Sequence, residues 1–165
     1  MVELLVTYME FAGIPQPIPP HKRDGIGIER EILSVDAYLA LYRAVGAPVQ
    51  WDERLRMPRG ELNSLLQMPS THVYVLRVQG RVVGFCEFEG VGSRSVELKH
   101  FGLVPDVQGM GLGALLLGTA LAAVWTHAPD CIWLHTDTQD HPQAVGVYQR
   151  AGFRVTERRL EIFED

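Results

Sequence analysis

Three glycines spaced by single residues, Gly109, Gly111 and Gly113, stand at the head of the stretch PDVQGMGLGALLLGTALAAVW, Pro105 to Trp125. Each glycine costs about 1 kcal/mol relative to alanine inside a helix, so packing alone does not account for them. A helix N-terminus offers unpaired backbone N–H groups and the positive end of a dipole, and glycines let an anion approach that backbone. The run SVELKHFGLV leads into the stretch, and strand, glycine turn, helix is a phosphate-binding order of elements. The spacing is GxGxG, which is neither the GxGxxG of dinucleotide sites nor the GxxxxGK[ST] of a P-loop.

The same stretch carries no charge between Asp106 and Asp130, which raises the question of a membrane span. A span needs about 20 predominantly apolar residues. Here the glycines crowd the start, and Gln108, Thr119, Thr126 and His127 add polar groups. Leu112, Leu115, Leu116, Thr119, Ala120 and Ala123 instead form one face of a helix buried against a sheet. A second cluster, His135, Asp137, Asp140 and His141 in HTDTQDH, has metal-ligand residue types. On a strand His135 and Asp137 share a face, but a helix follows at once and no further cluster supplies ligands, so no metal is expected. Asp140 as helix cap, with Pro142 in the first turn, explains the segment without one.

The elements around these residues follow from periodicity and breakers. MVELLVTYMEF alternates as a first strand and has no basic leader, which argues against a signal peptide. Pro15, Pro17, Pro19 and Pro20 predict an extended loop, followed by a short strand near Ile26 to Ile32. Ser34 or Asp36 caps a helix with Tyr38, Leu41, Tyr42 and Val45 on one face, ended by Gly46 and Pro48. A second short helix follows Pro58. THVYVLRVQG and RVVGFCEFEG read as a hairpin turning at Gln79-Gly80. CIWLHTDT is a strand, HPQAVGVYQRAG a helix, and FRVTERRLEIFE one or two closing strands. This mixture predicts an α+β (α/β) domain spanning 1–165, with a mixed sheet and helices on its faces.

Composition narrows the classes of function. The net charge of −5 lacks the basic footprint of non-specific nucleic-acid binding, so no nucleic-acid partner is expected. Two distant cysteines, Cys86 and Cys131, fit neither a disulfide scaffold nor a four-ligand zinc site and point to a cytoplasmic protein.

Gln108, Gly111 and Gly113 make QxxGxG, which resembles the pyrophosphate-binding motif of GNAT-type acetyltransferases, [QR]xxGx[GA]. The flanks VPxxQGxGLGxxLL and YQRAGF are also similar to that family, from about Thr71 to the closing strands, and look like its short bacterial members. The first seventy residues match in element order only.

The resemblance implies a mixed, mostly antiparallel sheet of about six or seven strands with about four helices. It implies transfer of acetyl from acetyl-CoA to an amine acceptor in a ternary complex, without metal or membrane, and is compatible with a homodimer. Phe101, Gly102 and Leu103 would offer backbone groups to the pantetheine arm, and Gly102 suits a close backbone approach. The N–H groups of Gly109, Met110, Gly111, Leu112, Gly113 and Ala114 would hold the pyrophosphate, helped by Gln108. Glu97 is the implied general base, with His100, Glu87 and Glu89 as alternatives; His100 falls on the opposite face if the pleat is regular. Tyr148 matches the family's acid for the leaving thiolate. His141 stands where the family often has a cofactor-touching asparagine. A CoA-binding regulatory module that no longer catalyses is the rival reading; the presence of both Glu97 and Tyr148 tilts against it.

Overall fold

The computed structural model describes residues 1–13 and 25–163, so the proline-rich loop at 15–20 lies outside the described residues. In chain order the elements are β1 (Val2–Phe11), β2 (Ile26–Arg30), α1 (Val35–Gly46), α2 (Glu53–Arg56), α3 (Arg59–Gln67), β3 (His72–Val78), β4 (Arg81–Glu89), β5 (Ser95–Leu103), α4 (Leu112–Trp125), β6 (Cys131–Asp137), α5 (Ala144–Ala151) and β7 (Phe153–Phe163). Short 3-10 turns cover Ala47–Val49 and Pro105–Val107. The strands form one seven-stranded sheet in the order β2-β3-β4-β5-β6-β1-β7, antiparallel except where β5 meets β6. This is the mixed sheet the sequence predicts, mostly antiparallel as the resemblance implies, and the closing segment is a single long strand.

Local chemistry explains most boundaries. Ser34 caps α1, its hydroxyl accepting from the Ala37 N–H at 3.1 Å. The β3–β4 hairpin turns at Gln79 and Gly80, both at positive φ, as a two-residue turn of matching twist requires. β3 and β4 are buried on both faces over most of their length. On one face Tyr38 of α1 packs edge-on against Phe85, and on the other α4 buries Leu116, Leu117, Ala120, Leu121 and Val124. Large aliphatic side chains buried this way contribute about 1.5–3 kcal/mol each before the entropy of ordering them is subtracted.

The described residues hold five helices, in line with the expected architecture; Glu53–Arg56 adds a turn of helix that has no apolar periodicity to announce it. One expectation requires correction. The helix after β6 begins at Ala144, not at an Asp140 cap. The Asp140 carboxylate is engaged before the helix: it accepts from the Thr136 hydroxyl at 2.6 Å and from the His141 N–H at 2.9 Å. Among the described residues no helix is long and apolar enough to cross a membrane, and no group of three or more His, Cys, Asp or Glu is placed to hold a metal ion.

Candidate functional site

β5 and β6 pair in parallel through only three positions, Ser95, Val96 and Glu97 against Cys131, Ile132 and Trp133. Both strands run on past that point, so from Leu98 to Leu103 the side of β5 turned away from β4 has no strand partner among the described residues. A cleft of about 630 Å³ opens along this fork. Its walls come from both layers: Val45, Pro48 and Trp51 on one side, Gly113, Ala114 and Tyr148 on the other. Phe101, Gly102 and Leu103 form its floor, and Gln108, Gly109, Gly111 and His141 line it as well.

At the head of the cleft the glycines hold the chain in a conformation other residues resist. Gly109 and Gly111 have φ near +80°, and a Cβ added at either would meet nothing within 4 Å. Gly111 is the residue before the first turn of α4. From Gly109 to Ala114 six consecutive N–H groups have no hydrogen-bond partner among the described residues; the first to find one is Leu115, which donates to the Gly111 carbonyl. A run of unpaired donors on open backbone at a helix start suits an anion. Gly113 differs: its φ is ordinary, and an added Cβ would sit 3.6 Å from Phe101 and 3.7 Å from Leu103, normal packing distances.

The predicted site residues divide. Phe101, Gly102, Leu103, Gln108, Gly109, Gly111, Gly113, Ala114, His141 and Tyr148 all line the one cleft. Met110 turns its side chain to solvent and Leu112 buries its own in the core, so each presents only backbone to the turn. The Gln108 amide donates to the Leu103 carbonyl at 3.2 Å, tying the turn to the end of β5. His141 accepts from the Gln143 N–H through Nδ1. Tyr148 is held between Phe101 and Phe153, ring centroids 5.9 Å from each, and burial pushes its phenol well above the ordinary value.

Glu97 does not line the cleft. It sits at the base of the fork on the α1 and α2 face, 3.8 Å from Lys99 and 3.6 Å from His135. Burial raises its pKa against the opposing pull of Lys99 and His135. Tyr148 belongs to the other face, so the two predicted catalytic groups approach the fork from opposite layers.

The pleat of β5 is not regular, and the expectation for His100 is reversed. Glu87 pairs with His100 and Phe88 with Leu98, leaving Lys99 as an extra residue. Such a bulge shifts the side-chain alternation by one. Glu97, Lys99 and His100 therefore all project to the α1 and α2 face, where His100 packs against Tyr42 and Trp51. The His100 Nδ1–H donates to the Glu87 carboxylate at 3.2 Å.

Glu87 is fully buried, which only a dense set of partners permits. Arg54 donates to it at 2.6 Å and to Glu89 at 2.6 Å, and the Tyr38 hydroxyl donates to its other oxygen. Burial pushes the Glu87 carboxyl up, but His100, Arg54 and Tyr38 outweigh it and hold it at about 2. Of the alternative bases, Glu87 and Glu89 are thus committed to an ion-paired network. That network anchors α2 and, through it, the segment carrying Trp51, whose ring closes over Gly46 and Gly102.

Sequence reasoning missed Arg150, which lines the cleft from the last turn of α5. Its place in YQRAGF, two residues after Tyr148, was the available signal.

Solved structures share this fold. The chain is similar to a protein from Novosphingobium aromaticivorans assigned to the GNAT family of acetyltransferases (TM-score 0.64, 21% identity, covering 96% of this chain and 62% of that one). It is similar to a GCN5-related N-acetyltransferase from Sphaerobacter thermophilus (TM-score 0.68, 22% identity, 95% and 50%). It is also similar to an aminoglycoside acetyltransferase from an uncultured soil metagenomic sample (TM-score 0.70, 15% identity, 87% and 97%). The chain thus spans 62% and 50% of the first two of these proteins. No curated protein sequence matches it. The model of the Acetyltransferase (GNAT) family matches residues 37–153, from α1 to the start of β7 and so across every wall of the cleft, and the chain belongs to that family.

Proposed function

We propose that the protein is an acetyl-CoA-dependent N-acetyltransferase acting on a primary amine of a small molecule or peptide by direct attack in a ternary complex. The observation that carries the reading is the run of six unpaired N–H groups, Gly109 to Ala114, opening onto the same cleft as the unpartnered edge of β5. The donors fit a pyrophosphate, and the edge fits an amide-bearing arm that adds to it as a strand would. Acetyl-CoA supplies an acyl thioester, the activated form of the acetyl group.

The residues of the chain supply the proton transfers. An amine with a pKa near 10 is neutral in only about one molecule in a thousand at pH 7, so attack needs a proton acceptor. Glu97 takes that role, directly or through water, with a carboxyl whose raised pKa makes it a stronger base than a solvated one. Tyr148 donates its hydroxyl proton to the departing sulfur, and its burial among aromatic rings keeps it protonated. Backbone N–H groups of the β5 edge suit the charge that develops on the acyl oxygen.

Amine-dependent release of CoA thiol across a panel of primary amines tests the reading. At least one amine should turn over, with Tyr148→Phe lowering kcat by about a hundredfold while the KM for acetyl-CoA holds. If acetyl-CoA raises the melting temperature but no amine is ever acetylated, the protein is a binding module and the catalytic assignment fails.

A further inference from the structure

β7 is the terminal strand of the sheet, and among the described residues its outer edge has no partner along eleven residues. Its second half extends beyond the body of the sheet: β6 pairs with β1 only from Val6 to Glu10, so Val2–Leu5 and Leu160–Phe163 form a two-stranded arm. On one face of that arm Leu5 lies opposite Leu160, and Ile162 lies opposite Glu3. Leu160 and Ile162 are 67% and 68% exposed, and Leu5 is exposed beside them. An open edge carrying aliphatic side chains invites another strand, and natural proteins rarely leave one uncovered.

We infer that this edge pairs antiparallel with β7 of a second copy of the chain, about a two-fold axis beside Leu160. The sequence of the edge favours a second copy in this register over those centred on Arg158, Arg159 or Glu161. A two-fold axis perpendicular to the sheet keeps each face on one side, so facing residues must belong to the same alternation, and the axis must pass beside a residue rather than between two. Centred on Arg158, Arg159 or Glu161, the pairing sets like charges against each other. Centred on Leu160, it sets Leu160 against its copy, Arg159 against Glu161 twice, and Ile162 against Arg158 twice. No like charges meet, and the exposed leucine and isoleucine of both copies join into one apolar band with the two Leu5 side chains behind it. The seam runs from Glu157 to Phe163, roughly 24 Å of strand at 3.4 Å per residue. It buries β7 without touching the cleft, so it stands apart from the proposed reaction.

Sedimentation of the purified chain across micromolar concentrations tests this. The wild type should sediment as a dimer. Arg159→Glu and Glu161→Arg should each raise the dimer dissociation constant by at least about tenfold, because each creates two like-charged facing pairs. An equimolar mixture of these two variants should form a heterodimer, since each supplies the charge the other lacks, and the double variant should dimerise again. Circular dichroism and thermal melts of the single variants separate misfolding from lost association. A monomeric wild type, a dimer indifferent to both substitutions, or a mixture of the two folded variants that stays monomeric would overturn the inference.

Discussion

At the scale of single residues the glycine turn yields the sharpest contrast, because Gly113 is there for a different reason from Gly109 and Gly111. Gly111 is held at positive φ, so Gly111→Ala strains the backbone by about 1 kcal/mol and turns the following N–H groups away from the cleft. It should raise the KM for acetyl-CoA several-fold. Gly113→Ala meets only ordinary contacts and gains helix propensity, so its melting temperature should stay level or rise, with acetyl-CoA binding preserved. Equal loss of binding in the two variants, read by calorimetry, would contradict this account of the turn. Burial raises the carboxyl of Glu97 from its ordinary value, outweighing Lys99 and His135. The acid limb of the rate profile should therefore lie above that of a solvated glutamate and vanish in Glu97→Gln.

At the scale of elements, α2 is too short to be stable through its own hydrogen bonds, since a helix nucleus alone is unfavourable. The four-residue turn exists because Arg54, only 2% exposed, reaches Glu87 and Glu89 in the sheet. Arg54→Met leaves Glu87 as a buried charge without its guanidinium partner, and should cost about 3–5 kcal/mol in denaturant unfolding. The Arg54→Met, Glu87→Gln double variant should lose less than the Arg54→Met single, because no charge is then stranded. Loss of this anchor should also loosen Trp51 and the cleft wall, seen as increased indole quenching. The bulge in β5 belongs to the same scale. One inserted residue, Lys99, sends His100 to the face of Glu97 and so makes the Glu87 network possible.

At the scale of the whole molecule the response to acid follows from two buried groups. Burial, then the charge of Arg30 and the neighbouring His127, lowers His72 from 6.5 to about 4. The folded state therefore disfavours the charged imidazole, and the stability this group contributes is complete above pH 6.5 and lost as pH falls toward 4. Glu87, lowered from 4.5 to about 2, contributes stability that is present above pH 4.5 and lost as pH falls toward 2. Melting temperature should fall in two stages on acidification. His72→Gln should flatten the first and leave the second.

The sequence by itself determined most of the elements and the glycine turn at the head of α4. Periodicity, capping residues and glycine spacing are local signals, and the QxxGxG of Gln108, Gly111 and Gly113 could be read because a turn of this kind is built from consecutive backbone groups. Three things were decided only by the tertiary structure. The fork between β5 and β6 arises from where strand pairing stops, which depends on elements far apart in the chain. The place of Arg54 depends on a buried glutamate 33 residues away, so a polar residue in an unpatterned segment gives no sign of it. The face of His100 hinged on whether the pleat of β5 is regular, because a bulge is set by the register between two strands, and one residue of slip inverts every side chain beyond it. Chemistry carried by contiguous backbone was legible in the sequence; chemistry carried by side chains that meet across the sheet depended on how the strands registered against one another.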